Sequence, residues 1–139
     1  ILLKAIDEDS ESFNGFMAAL KMPKNTEEEK VLRKTAMSQA LKTASLVPLK
    51  VAGQSVRIFK FSRLMLERGN KNAATDAMVS ALAARTAAIG ALLNVRINLR
   101  LIHDPEFVRT TLEEVLRLET LTNEQEKEIT EIGYQLLNQ

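Results

Sequence analysis

Residues 73–101 read AATDAMVSALAARTAAIGALLNVRINLRL, with no proline and a single glycine. Alanine and leucine, the strongest helix formers, recur throughout the stretch. Ala77, Ala81, Ala84, Ala88 and Ala91 repeat at spacings of three and four, which puts them on one face of a helix. Beside them runs a second line, Asp76, Ser80, Ala83, Ala87, Gly90 and Asn94, with Asn98 one turn later. Small side chains let another helix, or a flat ligand, come close to the backbone. The stretch predicts a helix from about Ala73 to Leu101 that packs tightly against a neighbour.

The flanking sequence is helical too. A first helix runs from the start to about Leu20 and stops before Met22-Pro23. A second begins at Thr26, where Thr26 and Glu29 have capping-box spacing, and reaches about Leu46. Pro48 is expected to kink or restart the helix, because an internal proline removes one hydrogen bond and crowds the preceding turn. A third stretch runs to Arg68 and ends at Gly69-Asn70, a C-cap signal. The last starts with Asp104 as N-cap and Pro105 at the first helical position, and continues to the end. No strand is evident, and short connections predict antiparallel neighbours. The expectation is all-α: an antiparallel bundle of about five helices, residues 1–139 forming a single domain. Ile1-Leu2-Leu3 is already in apolar helical phase, with no cap before it and no initiator methionine. It reads as a break inside a larger helical domain.

Composition narrows the function classes. A chain of 139 residues can bury a sizeable core, and 45% hydrophobic with 27% charged residues is ordinary for a globular protein. No cysteine and one histidine exclude disulfides, thiolate metal sites and multi-histidine metal sites. No apolar run is read as approaching the roughly 18–20 residues that span a bilayer, and no signal peptide is recognised. A soluble, cytoplasmic protein without a membrane partner is expected. The net charge of +1 hides an asymmetry: residues 1–71 carry 13 Lys/Arg against 8 Asp/Glu, and residues 72–139 carry 6 against 10. An anionic ligand would favour the first part. Nucleic acid is not expected, because acids interleave the basic residues and only one Tyr and five Phe could stack on bases. Arg85 and Arg96 nearly share a helix face, and their stems are expected to snorkel rather than to bind an anion. His103 precedes the Asp104-Pro105 start and reads as a loop or capping residue.

The first helix holds the most informative side chain. Leu2, Ile6, Phe13, Phe16 and Leu20 form an apolar stripe with one gap of seven, and Asp9 fills that gap in phase. Glu8 and Glu11 read as solvated. An aspartate is neither a good helix former nor a good core residue, so a buried one needs partners or a proton. Two readings stay open on spacing alone. Asp9 is either a structural acid paired with a cation, or a general acid kept protonated by its surroundings. The stripe predicts that it faces a cleft away from bulk water.

Several ordered segments resemble one family. Ile6-Asp7-Glu8-Asp9-Ser10-Glu11-Ser12-Phe13 resembles the D-x-D-x-x-x-F element of the cyclodeaminase domain of formiminotransferase-cyclodeaminase. Leu20 to Lys30 resembles its L-x-x-P-K-x-T-x-E-E-K stretch, and Val47-Pro48-Leu49 its V-P-L helix. Gly69-Asn70 with Thr75-Asp76 match its G-N and S/T-D positions. Gly90-Ala91 followed by Asn94-Val95-Arg96-Ile97-Asn98-Leu99 resembles its G-A-x-x-N-V-x-I-N-L signature. The matches keep order and spacing from Ile6 to about Phe107.

The resemblance implies a helical domain working as a homodimer or higher homo-oligomer. It implies an ammonia-lyase that converts 5-formiminotetrahydrofolate to 5,10-methenyltetrahydrofolate, or a methenyltetrahydrofolate cyclohydrolase of the same family. No cofactor beyond the tetrahydrofolate substrate and no metal are implied. The family's proton donor falls on Asp9, while Asp76, Asn94 and Asn98 become substrate-binding or interface positions. Asp76 and Asn94 lie ~27 Å apart along an ideal helix, so one small reaction centre cannot touch both. The family's N-terminal Pro-Gly-Gly-Gly element has no match in this sequence. From the residues alone, a non-catalytic oligomerisation bundle is the remaining alternative. Asp9 would then pair with a Lys or Arg, and no cleft would open beside it.

Overall fold

Pro48 does not divide the second helix. The computed structural model describes residues 2–138, and in it α2 runs unbroken over Glu27–Arg68. It is preceded by α1, Leu2–Leu20, and followed by a 3-10 turn at Lys71–Ala73, α3 over Ala74–Leu99 and α4 over Pro105–Leu137. The bundle therefore has four long helices rather than about five, and no strand among the described residues. The reason lies in one hydrogen bond. Proline at 48 has no N–H for the carbonyl of Ala44, four residues earlier. The side-chain amide of Asn98 on α3 donates to that carbonyl instead, at 2.9 Å. Pro48 itself is buried, so α2 passes through it with its backbone paired.

The helix ends follow local chemistry. Thr26 caps α2 by accepting from the Glu29 N–H at 3.2 Å, and Glu29 accepts from the Thr26 N–H in return. Asp104 caps α4 by accepting from the Phe107 N–H at 3.1 Å, with Pro105 first in the helix. Gly69 closes α2 by donating to the Met65 carbonyl at 2.9 Å, in an extended rather than left-handed conformation. A Cβ on Gly69 would run into that same carbonyl, so close approach is what requires glycine.

Ion pairs and hydrogen bonds give the helix directions. Glu8 meets Lys50 and Leu20 meets Arg33, so α1 and α2 are antiparallel. Ala44 meets Asn98, so α3 returns along α2. Arg96 reaches Glu119 and Arg85 reaches Asn123, so α4 is antiparallel to α3. The stems of Arg85 and Arg96 thus carry charge to α4 instead of snorkelling into solvent. Arg63 of α2 pairs with Glu128 of α4.

α2 packs against each of the other three helices, and α3 packs against α2 and α4. Ala77, Ala81, Ala84 and Ala88 are buried, together with Leu92 and Val95. They pack with Val56 and Phe59 of α2 and with Val115, Leu118 and Ile129 of α4 in one core. The alanine line therefore makes the expected close helix contact, within this chain. The segment Lys71–Leu99 is also long and apolar enough, by length and composition, to cross a membrane. The sequence reading that no apolar run approaches this length is corrected. In the bundle, 33% of its apolar 18-residue window is buried in the core that α3 shares with α2 and α4, and Val79, Leu82, Leu93 and Ile97 stay exposed.

Candidate functional site

α1 turns an unexpected face inward. Ala5, Ser12 and Ala19 are buried, with Glu8 half-buried in the same phase. Small side chains let α1 lie close on α2. The bulky stripe is split: Ile6 is 64% exposed and Phe13 61%, with neighbouring Leu3 at 83%, while Phe16 and Leu20 are half-buried. Leu2's side chain lies outside the described residues. The expectation that Ile6, Asp9 and Phe13 form a buried face is therefore corrected, and Asp9 is exposed in the single chain. Glu8, expected to be solvated, is the acid of α1 that turns toward α2. Lys50 donates to both of its oxygens, at 2.9 and 3.1 Å. That hydrogen bond holds the Glu8 carboxyl below the ordinary glutamate value, with the charges of Lys50 and Lys4 adding to it.

Asp9 lies at the edge of a groove walled by α1, α2 and α3. The groove is open to solvent and has a volume of about 600 Å³. Ala5 and Ile6 form one wall, Val47, Pro48 and Val51 a second, and Ala87, Gly90 and Ala91 the third. Its hydroxyl groups bond back to their own helices: Ser10 to Ile6, Ser55 to Val51 and Thr86 to Leu82, each at 3.0 Å. Asp9 and Asn94 differ. Among the described residues neither side chain has a hydrogen-bond or ion-pair partner. A smaller recess of about 270 Å³ continues past them, lined by Ser12, Phe16, Leu41, Asn98 and Leu101 among others. An apolar groove with two free polar side chains at its rim suits a flat ligand fixed by few polar contacts.

Three of the four site residues expected from sequence are brought together here. Asp9 and Asn94 line both the groove and the recess, and Asn98 lines the recess. The amide nitrogen of Asn98 is engaged by Ala44, so its contribution is to hold α2 and α3 in register beside the groove. Asp76 is not part of the cluster. It is exposed in the first turn of α3, where a carboxylate suits the positive end of the helix dipole. Sequence reasoning missed Thr86 and Val51 as walls, since neither stands out from ordinary helix residues. Among the described residues, no cluster of three His, Asp or Glu side chains could hold a metal.

The groove joins residues from motifs that lie far apart in sequence, and comparisons with known proteins show the family. The family model described as formiminotransferase-cyclodeaminase matches residues 1–117. The chain belongs to that family. It is 38% identical to a formimidoyltransferase-cyclodeaminase of Gallus gallus over 84% of this chain and 22% of the relative. It is 36% identical to a methenyltetrahydrofolate cyclohydrolase of Methylorubrum extorquens over 79% of this chain and 53% of the relative. The chain thus spans about half or less of the length of these relatives. The crystal structure of a formiminotetrahydrofolate cyclodeaminase from Thermotoga maritima superposes with a TM-score of 0.83 at 26% identity, over 98% of this chain and 64% of that one. Within this family chain, the element around Asp9, the Val47-Pro48 pair and the Gly90-Asn94 segment meet at one groove.

Proposed function

We propose that this chain carries the folate-binding groove of an enzyme that converts 5-formiminotetrahydrofolate to 5,10-methenyltetrahydrofolate and ammonia, with Asp9 as general acid. The observation that carries the reading is the pairing of two free polar side chains, Asp9 and Asn94, in one apolar groove. The names of the relatives supply the reaction class. In that reaction N10 of the folate attacks the formimino carbon and forms a new C–N bond, the π bond to the imino nitrogen opens, and that nitrogen takes up the proton N10 loses. The carbon becomes tetrahedral and bears an amino group. Breaking the bond to that group requires a proton on its nitrogen, which then leaves as ammonia. A carboxyl at the groove's edge is placed to supply the proton, an effect on the order of 10²–10⁴-fold. Ala87 and Gly90 leave room for a flat ring against α3, and Asn94 offers an amide to orient it.

Catalysis by Asp9 needs a groove shielded from water, and one chain alone leaves it open. The apolar residues flanking Asp9 on α1 are uncovered as well. The reading therefore includes a homo-oligomer in which a second copy covers this stripe. Asp76 then has its role at a distance from Asp9, at a contact between copies.

A second reading, hydrolysis of methenyltetrahydrofolate, is favoured by the likeness to the Methylorubrum cyclohydrolase. The non-catalytic bundle is disfavoured on both of its conditions. Asp9 has no cationic partner among the described residues, and a groove opens beside it. An absorbance assay on the full-length protein separates the readings. Formation of methenyltetrahydrofolate from the formimino substrate supports the lyase, and its disappearance in water supports the hydrolase. A folded protein that does neither sinks both.

A further inference from the structure

A second cavity, of about 680 Å³, lies at the end of the bundle where α1 joins α2 and α3 joins α4. Three separate segments send basic groups to it. Lys24 comes from the α1–α2 connection, Lys30, Arg33 and Lys34 from the first turns of α2, and His103 from the α3–α4 connection. No carboxylate lines it. Of the nearest acids in sequence, Glu28 is exposed and does not line the cavity, and the other two are engaged. Glu27 pairs with Lys30 at 2.6 Å, and Glu29 accepts from the backbone N–H groups of Asn25 and Thr26. Arg33 is held in place without being neutralised, because its Nε and Nη2 donate to the Leu20 carbonyl at 3.3 and 3.2 Å. Among the described residues Lys24, Arg33 and Lys34 have no ion-pair partner.

Cations converging in a concave site raise one another's energy, and a multivalent anion relieves that. A guanidinium anchored by a carbonyl is pre-organised to give charge-assisted hydrogen bonds to an oxyanion. We infer that this cavity binds a small anion carrying two or more negative charges, the chemistry shared by phosphate-bearing and polycarboxylate molecules. The occupant ties the α1–α2 connection to the α3–α4 connection. The inference does not depend on the folate reading.

The test is calorimetric titration of the full-length protein with pyrophosphate and, separately, with citrate, each at matched ionic strength. The expected result is saturable binding of at least one of them at one site per chain. Binding should be at least tenfold weaker in the Lys24→Gln/Lys34→Gln variant, whose two lysines make no contact that the fold uses. A control, Lys60→Gln/Lys71→Gln, removes the same charge elsewhere and should bind as the parent does. The tighter of the two anions identifies phosphate or carboxylate as the source. No saturable binding of either anion, or equal loss in both variants, overturns the inference. Circular dichroism of each variant keeps a folding defect from being read as lost binding.

Discussion

Asp9 shows how far a single residue can be read. Its helical phase singled it out and it lines a groove, but the expectation of a cleft away from bulk water is not met, because Asp9 is exposed in the single chain. Its exposure was not legible, because spacing reveals that a stripe exists and not whether anything in the same chain covers it. If Asp9 protonates departing ammonia, Asp9→Asn keeps the shape and loses the proton. Turnover should fall by at least about 100-fold while folate binding changes little. Near-normal turnover in a folded variant would refute the assignment. Asn98 carries a different lesson. Sequence offered it as a substrate contact, yet its amide serves the carbonyl that Pro48 leaves without a partner. Asn98→Ala should cost about 1–3 kcal/mol, the range for leaving a buried polar group unsatisfied. In a Pro48→Ala background, residue 48 regains an N–H for the Ala44 carbonyl, so the cost should shrink. Denaturant unfolding of the four proteins in this cycle measures the difference. Equal costs in both backgrounds would remove the link between the two residues.

At the scale of elements, the starts and stops were the most legible features. Thr26, Asp104 and Gly69 each act where the sequence placed them, since a cap is a local event among a few consecutive residues. Pro48 was misread for the opposite reason: its compensation comes from another helix, 50 positions away. The start of α4 lends itself to a pH test. Lys42 donates to the Asp104 carboxylate at 2.6 Å and also lies over the Phe107 ring. That hydrogen bond, with the Phe107 N–H adding to it, holds the Asp104 carboxyl below its ordinary value of 3.8. The folded state thus binds this proton less readily than the unfolded chain. Stability from the pair is fully present above about pH 3.8 and is lost as pH falls through the lower folded value. Asp104→Asn keeps a good N-cap and removes the charge. Its stability deficit relative to the parent should therefore be constant near neutral pH and shrink below about pH 3.8. Urea unfolding at a series of pH values measures this. A deficit that persists unchanged into strong acid would mean that the ion pair contributes nothing.

The whole molecule was legible as all-helical and antiparallel, because helical periodicity and short connections carry that information together. Which face of α1 turns inward was not, since two stripes compete along the same helix. The small one, Ala5, Ser12 and Ala19, allows a closer approach to α2 and prevails. Of the bulky one, Ile6 and Phe13 face out with Asp9 in the gap between them and exposed Leu3 and Met17 alongside, while Phe16 and Leu20 are half-buried. Burying a single side chain of this size contributes about 1.5–3 kcal/mol, so a row of them is a strong drive toward association. If a second copy covers that row, the same contact shields the groove, and assembly and catalysis become one property. Phe13→Lys places a charge in the contact without touching the core. The variant should stay helical by circular dichroism, shift toward monomer in sedimentation velocity at micromolar concentration, and lose turnover as it dissociates. Raising its concentration should restore both together, since dissociation follows mass action. A parent protein that sediments as a monomer and is fully active would separate the groove from any partner, and Asp9 would have to work in open water.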